Sequence, residues 1–453
     1  MFKTLRNAFK IKEIRSKVFY TFLMLVVIRL GSQIPVPGMN RDVVANMFSS
    51  ISSTDAFNFF SAFTGGSLEQ MSLFALGINP YITSSIIMQL LTIAIPKLEE
   101  LQKDGETGKK KIAEITRYIT VALALIEGTA IAIGFGNQGV FGDATGKAYF
   151  LAVVITVIAL TAGSAVLMWI GERITENGVG NGISIVLAIN IISRIPTDMY
   201  GLYVNKVQIT EANGRAPLTA ILAAVIIIAV ILFVIAFVVL LQDAQRKIPV
   251  QYAKKMQGRK LAGGQSTHIP LKVNTAGVIP VIFASSIMQF PVIISNLFGK
   301  TQADINLWGK ILRLLNSGSW FDISDGFNSF KYTLGFLVYA VLVIAFAYFY
   351  TSITFNPIEV ANNMKRQGGF VPGIRPGKPT EEYLIKILNS IVFIGAAMLL
   401  FIATIPLVFS GIFNASVSFM GTSIIIVVGV IIETLSKIDS MMVVRNYKGF
   451  LND

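Results

Sequence analysis

FNFFSAFTGGSLEQMSLFALGINPYITSSIIMQLLTIAIP, residues 57–96, is the stretch whose reading decides the fold. A membrane span takes about 20 apolar residues at about 1.5 Å of rise each, so this run is too long for one span and too short for two joined by a loop. An aromatic-rich piece, 57–72, is broken by Gly65-Gly66 and followed by a full-length apolar run. The pattern predicts a half-helix folded against the start of a complete one. Irregular backbone at membrane depth persists only where protein or water satisfies its polar groups, which places such a segment in a cavity or pore. From these residues alone, an amphipathic stretch lying on the membrane surface stays open as the alternative.

The rest of the chain shares this character. Of 453 residues, 53% are hydrophobic and 14% charged, against about 25% charged in soluble domains, which indicates a polytopic membrane protein. Apolar runs at about 18–34, 74–95, 115–135, 149–170, 183–195, 217–241, 275–298, 332–354, 384–408 and 416–436 make ten candidate transmembrane helices. Lys and Arg concentrate in the N-terminal segment, after the second span and after the sixth, whereas the opposite loops are sparse. Basic short loops are cytoplasmic, so both termini are expected on the cytoplasmic side of a multi-pass protein. The spans divide into two five-helix halves, 1–200 and 201–453, with pseudo-symmetry and a functional axis between them. The run 183–195 is short and enters from the glycine-rich 177–182, whereas the uniform 217–241 could face lipid all round.

Enzyme chemistry has no visible footing. With no cysteine and a single histidine, His268, neither thiolate nor imidazole metal sites can be assembled, and no metal or cofactor is expected. Gly299-Lys300-Thr301 resembles the end of a phosphate loop but has Ile294 where the first glycine is required. A small-solute secondary transporter, the rival reading, would carry ionisable groups within the membrane. The candidates are Arg29 and Glu433, both near span ends where snorkelling accounts for them, and the deeper Glu127.

Two cytoplasmic loops stand out, at about 242–272 and 355–383. In the first, Ile248, Val250 and Tyr252 alternate with polar residues, which predicts a short hairpin with a basic tip. Such loops suit anionic lipids, ribosomal RNA phosphates or an acidic protein patch.

The segments GINPYITSSIIMQLL (77–91), NGVGNGISI (177–185), QSTHIPLKVNTAGVIPVIFASSI (265–287), FNPIEVANNMKRQGGFVPGIRPG (355–377) and GTSIIIVVGV (421–430) resemble the SecY family of bacterial protein-conducting channels over nearly the whole chain. The resemblance implies an all-α bundle around a central hourglass pore. Its plug would be the re-entrant half-helix at about 57–72, including Phe57, Phe60, Gly65, Gly66 and Leu68. Its pore ring would be Ile78, Ile82, Ile183, Leu187, Ile282 and Ile426, aliphatic groups that resist wetting yet yield to a passing polypeptide. A lateral gate would run between spans 2–3 and 7–8, with Gln89 and Asn274 as a hydrogen-bonded amide pair worth about 1 kcal/mol or less in favour of closure. Arg246, Lys247, Lys254, Lys255, Arg366 and Arg375 would bind the SecA motor or the translating ribosome, both its RNA and its protein. SecE and SecG would be the membrane partners, and signal peptides and nascent chains the cargo. The function implied is translocation of unfolded secretory polypeptides across the cytoplasmic membrane and lateral release of hydrophobic segments into it.

Overall fold

The computed structural model describes residues 9–41, 43–44, 63–136, 139–142, 146–203, 217–252, 255–257, 260–262, 266–297, 309–311, 314, 333–413 and 422–449. Each of the ten apolar runs coincides with a helix: α1 (Lys12–Gly31), α2 (Asn79–Ala94), α4 (Glu106–Gly136), α5 (Lys147–Asn177), α6 (Gly182–Tyr203), α7 (Pro217–Asp243), α8 (Ile279–Leu297), α9 (Thr333–Thr354), α11 (Lys378–Phe413) and α12 (Thr422–Gly449). Two short helices, α3 (Pro96–Lys103) and α10 (Pro357–Arg366), and five strands complete the described elements. Among the described residues, four helical stretches are long and apolar enough to cross a membrane alone. The pair α2 and α3 passes the same test together but is bent by 101°. The bend has a local cause: Ile95 precedes Pro96 and takes extended backbone, φ −112°, because a residue before proline is driven out of the helical region.

The bundle holds two large apolar clusters and several smaller ones. One draws Ile28, Ile82, Leu167, Leu187, Phe283 and Ile426 together from α1, α2, α5, α6, α8 and α12. The other gathers Val234, Val238 and Leu241 of α7 with Val281, Val343, Ile402 and Ile425. So α7, although uniformly apolar, does not face lipid all round: it buries one stripe while Leu232, Phe233 and Leu240 stay exposed. Periodicity could not find this stripe, because in a helix with no polar face the packing partners alone choose the buried side. The fifth run is also more regular than expected, since α6 continues through Pro196 to Tyr203.

At one end of the bundle the predicted hairpin is present. Strand β1 (Gln245–Tyr252) pairs antiparallel with β4 (Ser266–Lys272), from Gln245 opposite Lys272 to Gln251 opposite Ser266. Between them, β2 (Lys255–Gln257) and β3 (Lys260–Ala262) pair with each other. Ile248 and Val250 are buried against Ala361, Met364, Leu384 and Ile387 of α10 and α11, whereas Arg246, Lys247 and Pro249 are exposed. The second loop adds β5 (Gly369–Phe370) to the free edge of β1, a connection no periodic signal announced.

Glycine sets the closest approaches. A Cβ on Gly163 would lie 1.8 Å from the Leu73 carbonyl oxygen, so α5 and the 73–77 backbone touch with no room for a side chain. Gly163→Ala is therefore expected to lower stability by about 1–3 kcal/mol through overpacking. A drop in the thermal midpoint of the purified protein in detergent is the measurement, and an unchanged midpoint would show that the contact yields.

Candidate functional site

Residues 63–78 fold into the end of the bundle opposite the sheet. They follow the segment that holds Phe57 and Phe60, both of which lie outside the described residues. The expected helix does not extend through 65–72: Phe63 and Thr64 are helical and the chain then runs in turns to Ile78. Gly65, Gly66 and Gly77 adopt φ of +64°, +81° and +61°, and Met71, unusually for a residue with a side chain, +44°. Left-handed residues at this density end a right-handed helix. For the same reason α2 starts at Asn79, after Gly77 and with Pro80 in its first turn, rather than near residue 74.

This coil is packed as tightly as a helix would be. Leu68, Met71, Ala75 and Leu76 are buried in a cluster with Val36, Phe135 and Leu160. Its second part is stapled by backbone bonds from Val36 N to Met71 O (2.9 Å) and from Leu73 N to Ile34 O (2.8 Å). The Ser164 hydroxyl donates to Gly77 O at 3.3 Å. Its first part is held by side chains of α6: Asn190 Nδ2 donates to Phe63 O at 3.1 Å, and Arg194 Nη2 pairs with Glu69 Oε1 at 2.6 Å. Arg29 does not snorkel outward. A Cβ on Gly65 would meet Arg29 Nη1 at 2.9 Å, and that nitrogen is buried without a hydrogen-bond partner, so the guanidinium lies beneath the Gly65-Gly66 turn.

Directly against the coil sits the aliphatic cluster. Ile78 and Ile82, Leu187 and Ile426 are buried in it, and Ile183 and Ile282 are half-buried against it, so the six residues singled out in the sequence meet in one apolar body. They arrive from α2 and the residue capping it, and from α6, α8 and α12. Phe63 belongs to the same cluster, as do Leu167, Ile170, Ile174, Ile191 and Val430, which sequence reasoning passed over because buried aliphatic residues at helical spacing carry no distinguishing mark.

The amide pair is not made. Gln89 Oε1 and Asn274 Nδ2 are each buried without a hydrogen-bond partner. The helices involved nevertheless meet, since α8 packs on α4 and touches α2. Gln89 lies on α2 but Asn274 lies in the turn 273–278 ahead of α8, and the two amides bond only when the backbone brings them within about 3.2 Å, which sequence position alone does not determine. The neighbouring polar contact is between hydroxyls: Ser84 Oγ of α2 and Thr120 Oγ1 of α4 lie 2.6 Å apart in a buried site.

On the sheet end, Arg246 and Lys247 on β1, Arg366 at the end of α10 and Arg375 in the following loop are all exposed. Lys255 lies on β2, and Lys254 is outside the described residues. Thr380 Oγ1 donates to Arg375 O at 2.8 Å, tying that loop to the first turn of α11. Among the described residues no group of His, Cys, Asp and Glu could hold a metal ion.

Comparisons with known proteins bear on the family and the fold. A family profile described as SecY matches residues 72–435. The chain is 42% identical to the protein translocase subunit SecY of Halalkalibacterium halodurans and 41% identical to that of Bacillus subtilis, over 100% of both chains in each case. Among solved structures, a protein-conducting channel superposes with a TM-score of 0.65 at 20% identity, covering 94% of this chain and 92% of the other. A SecY structure concerned with its plug domain superposes at 0.63, with 19% identity and 96% of both chains covered. Sec61 in a canine ribosome–channel complex superposes at 0.61, with 20% identity and 94% and 92% covered.

Proposed function

The chain belongs to the SecY family, and from that membership we propose that it is the passive conduit through which a bound motor or ribosome drives unfolded polypeptides across the cytoplasmic membrane. Both termini and the sheet lie on the cytoplasmic side, as the distribution of Lys and Arg requires. The two halves are 1–200 and 201–453, and the route between them passes the cluster of Ile78, Ile82, Ile183, Leu187, Ile282 and Ile426. One observation carries the reading: those six residues from four parts of the chain share one apolar cluster, and the folded coil 63–78 packs directly against it.

The chemistry follows from that arrangement. An apolar constriction is costly to wet and so resists ions, whereas aliphatic side chains can part around a polypeptide of any sequence. The segment 57–72 acts as the plug on the external side. Hydrophobic segments leave sideways where α2 and α4 face α8 and α9. With Gln89 and Asn274 unbonded, closure there rests on the packing of α8 against α4 and α2. The exposed cations of β1, α10 and the 371–377 loop form the docking face for SecA and for the ribosome, as the canine neighbour's complex suggests. SecE and SecG are the proposed membrane partners. A small-solute transporter would need coordinating groups at the constriction, and the six residues proposed to line it are all aliphatic.

The test uses photocrosslinking residues at positions 82, 183 and 282 in membranes carrying an arrested secretory chain. Adducts at two or more positions are expected. An arrested chain that labels none of them would end the conduction reading.

A further inference from the structure

We propose that Gly277 is the pivot on which α8 swings away from α4 when the seam between them opens, while α2 keeps its start fixed, which makes Gly277 a positioning residue for lateral release. The inference rests on the proposed exit of hydrophobic segments where α2 and α4 face α8 and α9.

The starts of α2 and α8 are built alike. GINPYITSSIIMQ (77–89) and GVIPVIFASSIMQ (277–289) lie 200 residues apart and agree at Gly, Pro, Ile, Ser, Ile, Met and Gln. Their backbones agree as well. Gly77 and Gly277 adopt φ of +61° and +66°, and each N–H donates three residues back, to Phe74 O at 2.8 Å and to Asn274 O at 3.4 Å. Leu73 N bonds Ile34 O at 2.8 Å just as Val273 N bonds Ala244 O at 2.9 Å. In both halves an antiparallel pairing therefore leads into a left-handed glycine, and a helix with proline in its first turn follows.

The two starts differ in how tightly they are held. Gly77 is hemmed in: a Cβ there would meet Thr64 Cγ2 at 3.2 Å, and its carbonyl oxygen accepts from Ser164 Oγ at 3.3 Å. The strap before Gly277 is equally fixed, since a Cβ on Gly395 of α11 would lie 2.5 Å from Val273 O and Thr275 Oγ1 donates to Lys272 O at 2.7 Å. At Gly277 itself the restraint stops. Among the described residues, a Cβ there would meet nothing within 4 Å. Val278 lies against Gly429 of α12, but so near the fulcrum that rotation barely displaces it. A fixed strap, an unhindered glycine and a continuous helix beyond it are the parts of a hinge, in which a few residues absorb the backbone change between rigid elements. Helix α9 travels with α8, because the two pack along each other and Phe283 meets Phe346 edge to face with ring centroids 5.6 Å apart.

The swing takes Gly277 out of left-handed backbone. Residues with a side chain disfavour that region by about tenfold, β-branched ones most and asparagine least. Substitution at 277 therefore biases α8 toward the swung position.

The chain has no cysteine, so Ile126→Cys on α4 and Ile287→Cys on α8, both exposed, take nitroxide labels whose separation reads the seam. At about 1.5 Å per residue, position 287 lies about 15 Å along the lever from Gly277. In resting reconstituted protein, Gly277→Ala and Gly277→Val should raise the ratio of a longer to the parental distance by about tenfold or more, and Gly277→Asn by less than about threefold. Labels at 287 and at the exposed position 337 of α9 should keep their separation throughout. Gly105→Ala is the control: Gly105 has φ +70° and an equally open surround but lies in the turn before α4, so it imposes the same strain without moving α8. Thermal midpoints show which variants fold, and if Gly277→Val does not, the alanine and asparagine variants decide. A folded Gly277→Ala protein with the parental distance would overturn the pivot, as would alanine and asparagine variants shifted alike or a control shifted as far. Crosslinks of an arrested chain to positions 82, 183 and 282 separate the two ideas. Their absence in the parent ends the conduit reading, and their presence beside unmoved labels ends the pivot alone.

Discussion

Vesicles containing protein with Ile82→Asn and Ile426→Asn together are expected to leak small ions at least about thirtyfold faster than vesicles with the parent protein. In the proposed constriction Ile82 and Ile426 offer water no hydrogen-bonding partner: they are 8% and 1% exposed within one apolar cluster. An amide held there without water would cost about 1–3 kcal/mol, so two amides draw water in with at least about 2 kcal/mol of driving force, or about thirtyfold in rate. The paired Ile→Leu substitutions keep volume and polarity and should leave the seal intact, because volume-conserving swaps cost less than about 1.5 kcal/mol. Ion flux by a fluorescent indicator distinguishes the two. A tight asparagine variant with parental stability would show that the seal lies elsewhere.

Arg375→Glu is expected to slow motor-driven export by about thirtyfold or more while leaving the bundle intact. The side chain is exposed, so the free protein loses little, within about 0.5 kcal/mol for an ordinary surface position. The backbone of the loop keeps its shape through Thr380, which bonds the Arg375 carbonyl rather than its side chain, and through burial of Val371 beside Met364 and Leu384. In a complex the reversed charge both removes a favourable contact and faces its former partner with like sign, and losses of about 2–5 kcal/mol are typical when such a charge is desolvated. Export rates in reconstituted vesicles, read beside the thermal midpoint, decide the matter. Normal rates would remove Arg375 from the docking face.

Local signals carried most of the fold. Ten apolar runs coincide with ten helices, and the alternation at Ile248 and Val250 produced the strand and its buried face. The six aliphatic residues proposed as the constriction were singled out only through the resemblance of the surrounding motifs, since nothing in Ile183 or Ile426 distinguishes a ring from ordinary packing. What escaped was long-range and non-periodic. The Glu69–Arg194 pair joins segments far apart in the chain, Arg29 turns inward because two glycines leave room beneath them, and β5 reaches β1 from another loop. The bond expected between Gln89 and Asn274 is absent for the same reason: Asn274 sits in the turn ahead of α8, and how that turn is placed against α2 is a long-range matter.

The β1–β4 ladder has a mechanical meaning. β1 continues directly from α7, β4 leads into α8 through the turn 273–278, and Val273 N bonds Ala244 O at 2.9 Å across the base. A push delivered at the tip compresses both strands side by side, and the pairing from Gln245 to Gln251 keeps them from splaying apart. The hairpin thus works as a stiff strut. Thrust applied to it arrives simultaneously at two helices, one of which, α8, carries Ile282.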